Sequence, residues 1–309
     1  MSAGAIRIVD AGVDLTAWVE IHNRVSPTAA SVEEAVAYSK AVEDAAHLLA
    51  LDGERPVGAA GATLEPGGRL RGAALVWIGV PAEARGSGLG SALLREVSAW
   101  AGSAGLETLE GHVFEDDEES LAWAARRGFA EIGRESWLAL DLQDLRVEEV
   151  DPPPGVEVLG LASRPDLLPA VYEVASEAYP DIPGEEESEM EPYEDWVAHD
   201  MSGPNDDPEA VFLAVAAGEV IGYSKFHLPQ ARPGIAVHDL TGVKRAWRGR
   251  GVAGALKRAQ IAWAKEQGYE RLETWNEERN APIRKLNERL GYRPASGHVL
   301  LRGPLFHSR

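Results

Sequence analysis

Apolar and polar residues recur along the chain with two periods, and each pattern is met twice. Residues 6–9 (IRIV) and 156–159 (VEVL) alternate with period two and predict a short strand opening each half. Helical stretches follow in LTAWVEIHNRV and LLPAVYEVASEAY. Hairpins come next, in LLALDGERPVGAAGATL and VFLAVAAGEVIGYSKFHL, whose Asp-Gly and Ala-Gly centres suit tight turns. An apolar strand then ends at Val80 or Val243. A glycine-rich turn starts a helix predicted to run to about 103 or 266; in the first copy Leu89, Leu93, Val97 and Trp100 share one face. Gly105 and Gly268 stop it. A strand (LETLEGHV, YERLETWN), a short helix ending in RRGF or RLGY, and a last strand (SWLALDL, HVLLRGPL) complete each pattern.

The two patterns superimpose residue by residue. With an offset of 163, Val80 maps to Val243, Arg85 to Arg248, Gly86 to Gly249, Gly88 to Gly251, Leu93 to Leu256, Glu110 to Glu273 and Phe129 to Tyr292, with no gap from 80 to 129. Upstream, residues 48–58 match 212–222 with an offset of 164. Agreement of this length indicates a duplication. Three consecutive prolines in EEVDPPPGVEV (148–158) end any helix or central strand and mark a linker. Two units are expected, 1–149 and 150–309. The fold class is α/β (α+β): each unit a mixed, mostly antiparallel central sheet flanked by helices.

Composition narrows the function. Hydrophobic residues make 45% and charged ones 26%, as in folded globular chains. No cysteine is present, which excludes disulfides and a cysteine nucleophile. Neither a secretory leader nor an apolar run long enough for a membrane span is seen, so a cytoplasmic location and no membrane partner are expected. The net charge of −20 repels nucleic acid and favours a cationic partner. No metal site is expected.

The repeated turn R-G-x-G-x-[GA] lies between a strand and a helix. The first amides of a helix lack intrahelical partners, and the helix dipole is positive there. Glycine lets a phosphate approach the backbone. The second copy adds Lys244, Arg245, Arg248 and Arg250, so a pyrophosphate is a natural guest. Gly249, Gly251 and Gly254 also fit a dinucleotide fingerprint, but KRAWR separates Val243 from Gly249, and the other copy has Ser91 in place of the third glycine.

The pattern V-x4-R-G-x-G-x-[GA], followed about 40 residues later by R-x-G-[FY], resembles the GCN5-related N-acetyltransferase (GNAT) family. Both halves carry it, so the chain resembles a tandem GNAT protein. The resemblance implies acetyl-CoA as cofactor, with the amides from Arg248 through Gly249, Arg250, Gly251 and Val252 to Ala253 on its pyrophosphate. Val243 and Lys244 would follow the pantetheine arm, and Asn276 and Asn280 would reach the cofactor. It also implies direct acyl transfer to a primary amine of a small molecule or peptide. Either a monomer or a homodimer is compatible.

The halves differ at positions facing the expected thioester. His238, Asp239 and Thr241 map to Leu75, Val76 and Ile78, and Asn276, Asn280 and Asn287 to Val113, Asp117 and Ala124. Catalysis is therefore expected in the second half, with the first degenerate. An attacking amine must lose a proton, for which Asp239 and His238 are candidates. Strict alternation puts these two on opposite faces, Asp239 sharing one with Thr241 and Val243. The family often has a tyrosine acid where this chain has Asn287, a departure that leaves a non-catalytic acyl-CoA-binding or sensor protein as the alternative. Residues 185–195 hold seven acidic side chains and no basic one; they are a solvated loop or a roof for a cationic acceptor, walled by Tyr193 and Trp196.

Overall fold

The computed structural model describes residues 6–12, 14–26, 28–42, 44–64, 72–147, 149–182, 190–277 and 280–306. In chain order the first half forms β1 (Ile6–Asp10), α1 (Thr16–Val25), α2 (Val32–Ala41), β2 (Asp44–Asp52), β3 (Arg55–Leu64), β4 (Ala73–Gly79), α3 (Leu89–Ser103), β5 (Thr108–Phe114), α4 (Glu118–Ala125) and β6 (Ala130–Asp141). The second forms β7 (Val156–Gly160), α5 (Leu168–Ala178), α6 (Tyr193–Asp200), β8 (Val211–Ala216), β9 (Glu219–His227), β10 (Ile235–Val243), α7 (Val252–Glu266), β11 (Arg271–Glu277), α8 (Ala281–Arg289) and β12 (Arg293–Pro304). The expected hairpins, glycine turns and long helices are all present. Among the described residues no helix is long and apolar enough to cross a membrane.

The compact units are not the two linear halves. One comprises Met1–Arg134 with His298–Arg309, the other Glu135–Gly297. In the first the strand order is β1-β2-β3-β4-β5-β12; in the second it is β7-β8-β9-β10-β11-β6. Each half thus sends its last strand to the other unit. Apart from one parallel pair per unit, β4 with β5 and β10 with β11, the pairs in these orders are antiparallel.

Side-chain fit accounts for the exchange. In the first unit the Phe129 ring covers Gly303 of β12, and a Cβ there would meet it at 2.5 Å. The repeat places Leu140 of β6 at the position of Gly303, so β6 in this slot would collide with Phe129. Arg302 of β12 lies opposite the buried Glu110 of β5 and binds its carboxylate; β6 offers Ala139 there. In the second unit Leu138 and Leu140 of β6, with Leu142 just past it, join the core around Phe226, Ile261, Leu272 and Tyr292.

Each core is built from the amphipathic helix that follows the glycine turn. In the first unit Leu89, Leu93, Leu94, Val97 and Ala101 of α3 lie on Ala50, Ala60, Ala62 and Ala74, small residues that let the helix sit close. Each buried leucine contributes about 1.5–3 kcal/mol. In the second unit α7 packs Val252 and Leu256 on Ile221 and Val243. The opposite sheet face carries α5 and α6, with Val171, Val174 and Trp196 on Leu213, Val220 and Tyr223. Trp196 is therefore core rather than wall. Of the acidic stretch, residues 185–189 lie outside the described residues.

Candidate active site

Two features of β10 build the site. Its parallel ladder with β11 covers only Ile235–Val237 against Arg271–Glu273. Beyond that point β10 continues along β9 to Val243 and β11 along β6 to Glu277, with no ladder between them. Their facing edges are thus available to a ligand. The second feature is a bulge: the register with β9 shifts between His238 and Thr241. An extra residue re-aims the side chains around it. Asp239 consequently lies beside Lys225, 3.0 Å away, on the α6 face of the sheet, while Val243 packs against Val252 on the α7 face. The common face expected for Asp239 and Val243 does not exist, because the bulge interrupts the alternation.

The glycine turn has the geometry of an anion cradle. Gly249 and Gly251 have φ of 73° and 90°, and Gly251 caps α7. The first helical bond is Ala255 N–H to Gly251 carbonyl at 3.1 Å. Among the described residues no protein acceptor meets the amides of Gly249 to Gly254, and a Cβ at Gly249 would have nothing within 4 Å. Free amides, positive-φ glycines and open space fit a pyrophosphate. The basic cluster is weaker than its sequence suggests. Lys244 binds Glu219 at 2.6 Å, and Arg245 and Arg248 share Asp181 at 2.9 and 2.6 Å. These guanidinium groups hold the Asp181 pKa down to about 2. Arg248 also donates to the Val243 carbonyl at 2.8 Å. Arg250 stacks over Trp247, its guanidinium carbon 5.0 Å from the ring centre, and has no acidic partner among the described residues.

His238 is no base for the cleft. It is 2% exposed, on the α7 side. Its Nδ1–H donates to Gln260 Oε1 at 3.1 Å, and its Nε2 accepts from the Tyr292 hydroxyl. Burial, then the neighbouring Lys257, drive its pKa well below the usual value, so the ring is neutral. Asn287 is fully buried and donates from Nδ2 to Asn276 Oδ1 at 2.8 Å, while its own Oδ1 has no partner among the described residues. The two asparagines thus hold each other. Asn280 sits at the N-cap of α8 and makes no side-chain cap bond.

The chemistry the sequence reading missed lies around Lys225, which is 3% exposed. Its ammonium binds Asp200 at 3.0 Å, Asp206 at 3.1 Å and Asp239 at 3.0 Å, and donates to the Asp200 carbonyl. Burial opposes its charge, but the three carboxylates outweigh burial and raise its pKa. The Asp200 carboxyl is pushed up to about 6, by burial first and the charge of Asp239 second. Beside them stands the buried Tyr223, whose hydroxyl has no partner among the described residues. Tyr223 and Lys225 are two apart on β9, so strand parity places these two on one face, but the bulge in β10 breaks the parity that would have joined them to Asp239.

With this geometry in hand, relatives can be placed. A family model described as the acetyltransferase (GNAT) family matches residues 15–129 and 168–292. The chain belongs to the GNAT family. Its members transfer acyl groups from acyl-CoA to amines of small molecules or peptides. In fold this GNAT chain is similar to a GCN5-related N-acetyltransferase from Sphaerobacter thermophilus, at 22% identity and a TM-score of 0.74, over 98% of this chain and 97% of that one. It is also similar to a tandem GNAT protein from the clavulanic acid biosynthesis pathway, at 20% identity and a TM-score of 0.76, over 98% and 100%. An acetyltransferase from Colwellia psychrerythraea matches at 14% identity and a TM-score of 0.64, over 97% and 99%. No curated protein sequence matches.

Proposed function

We propose that this GNAT protein is an acetyl-CoA-dependent N-acetyltransferase working in the cytoplasm, and that its second unit carries the reaction. The observation behind this reading is the conjunction, in one unit, of an open β10–β11 edge, free amides at α7 and a carboxylate group beside the bulge. Acetyl-CoA supplies an acyl group activated as a thioester. In this reading the amides of Gly249 to Gly254 hold its pyrophosphate, Arg250 adds positive charge, and the free edge of β10 near Val243 pairs with the pantetheine arm. Asp200 takes the proton an acceptor ammonium must lose before its nitrogen can attack. A base whose pKa lies near 6 is better matched to neutral pH than an ordinary carboxylate. Asp239 and Lys225 position it.

Calorimetric titration with acetyl-CoA tests the cradle. Binding should appear in the intact protein and vanish in Gly251→Glu, which sets a negative side chain on the turn. Undiminished binding in that variant moves the cofactor out of the second unit. A non-catalytic acyl-CoA-binding protein is favoured by one observation, the buried Asn287 at the position of the family's tyrosine. Acetyl-CoA turnover across a panel of amines separates the two readings.

A further inference from the structure

The carboxylate group around Lys225 has a feature that ion pairing leaves unexplained. Asp200, Asp206 and Asp239 face one ammonium, a formal surplus of two negative charges. Asp206 is 9% exposed, but Asp200 and Asp239 are each 36% exposed and reach the surface above the buried lysine. The Tyr223 hydroxyl, on the same face, feels the charge of Asp200 and Asp239 and has no partner among the described residues. A buried hydroxyl left without a partner costs about 1–3 kcal/mol, so a hydrogen-bonding group brought to it by a ligand would be favoured. The ring of Tyr223 lies against Gly242, one residue before Val243, which ties this group to the strand running into the glycine turn.

We infer that Asp200, Asp239 and the Tyr223 hydroxyl form an acceptor subsite for a dicationic amine, in which one ammonium reacts and the second stays charged. This rests on the transferase reading above. The charge count supports two positive groups. When the reacting ammonium gives its proton to Asp200, that carboxyl becomes neutral and one surplus negative charge remains. A second ammonium on the acceptor matches it, whereas a carboxylate beside the amine is repelled. The nitrogen lone pair then forms the C–N bond as the thioester C–S bond breaks, and the thiolate leaves with its electron pair and takes the second proton that the acylated nitrogen sheds, giving a neutral amide and the free thiol.

Calorimetry with 1,4-diaminobutane, 1-aminobutane and 4-aminobutyrate, with and without saturating coenzyme A, tests the subsite directly. The diamine should bind at least tenfold tighter than the monoamine, and the amino acid should give no signal. Asp200→Asn and Asp239→Asn should each weaken the diamine at least tenfold while leaving acetyl-CoA affinity unchanged. Tyr223→Phe should weaken it severalfold without lowering thermal stability, since the lost hydroxyl has no protein partner; this variant keeps the test sound if an aspartate variant misfolds. Equal affinity for the three ligands, or diamine binding untouched by all three substitutions, overturns the subsite. Tight diamine binding without acetyl transfer leaves the subsite standing and overturns the transferase reading instead.

Discussion

One sheet position filled in two ways separates the units. Where the second unit has Tyr223 and Lys225 on β9 and the bulged Asp239 and Leu240 on β10, the first has Ala59 and Gly61 on β3 and the single residue Trp77 on β4. The space is not left open. Trp18 of α1 lies over Gly61, 3.2 Å from where a Cβ would stand, and donates to the Ala60 carbonyl at 2.8 Å. Trp77 folds back onto Gly79, and His22 and His47 complete an aromatic group with ring centres 4.9–5.6 Å apart. No register shift interrupts the pairing of β4 with β3. On β5, Gly111 approaches the Val76 carbonyl so closely that a Cβ would stand 2.7 Å from it; the second unit has Thr274 there. The first glycine turn nevertheless keeps its cradle, with Gly86 and Gly88 at φ of 75° and 86°. The two features are therefore separable: the positive-φ glycine turn is present in both units, and the carboxylate group around a buried lysine in one.

The strongest test of that contrast removes its charge. Lys225→Met leaves three carboxylates facing one another without a counter-ion. Breaking such a buried pair costs about 3–5 kcal/mol, and urea denaturation should show a loss of that size. A loss below about 1 kcal/mol would mean that the ammonium does not hold the group together. Next comes a matched pair of glycines. Gly88→Glu and Gly251→Glu impose the same backbone strain and charge on equivalent turns. Acetyl-CoA affinity should fall by more than about 100-fold, or about 2.7 kcal/mol, only in the second. A fall in both assigns cofactor binding to both cradles.

The helix after the turn sharpens the contrast further. Leu94 of α3 is replaced in α7 by Lys257, 1% exposed, with His238, Gln260 and Tyr292 around it. Burial brings the lysine pKa down to about 7. Between that value and the ordinary one near 10.4, the unfolded chain binds a proton that the native chain does not, so stability rises with pH over this window. The slope is at most about 1.4 kcal/mol per unit, giving about 2 kcal/mol between pH 7 and 9. His238, neutral throughout, adds nothing there. Denaturation of Lys257→Leu should show this part of the slope gone, with a gain in stability at pH 7. An unchanged slope would assign it to other groups.

What the sequence made legible follows from what is local. The glycine turns, both hairpins and the α3 and α7 helices are written in adjacent residues, and the 163-residue offset aligns the turns and helices residue by residue. The bulge in β10 was not legible, because residues 237–243 contain no glycine or proline that marks one except Gly242, which lies past it. Without it, alternation put Asp239 on the face of Val243 and hid its partner Lys225. Asp200 lies five residues beyond the acidic stretch 185–195, and nothing in its neighbourhood in sequence links it to Lys225. His238 stands out by its ionisable ring and Asn287 by its place at the family's tyrosine position, and neither signal carries information about burial.

The exchange of β6 and β12 was illegible for a different reason, and it supplies the smallest test. A duplicated chain has two last strands of the same pattern and two equivalent edges, so periodicity cannot choose between them. The choice is made by contacts such as Arg302 with Glu110. Glu110 is 9% exposed and Arg302 40%, so the carboxylate is desolvated while its partner is half in water. Its counterpart Glu273 is held by Arg232 at 2.7 Å and Arg271 at 3.1 Å, from within its own unit. Arg302→Ala should therefore cost about 1–2 kcal/mol, more than an ordinary surface pair. The double variant Arg302→Ala with Glu110→Ala should recover part of that loss, since no buried carboxylate then remains. Arg232→Ala should leave Glu110 unaffected and lower stability independently, the two losses adding. If the double variant recovers nothing, the pair is only a surface contact, and the fit of Phe129 over Gly303 alone directs β12 to its place.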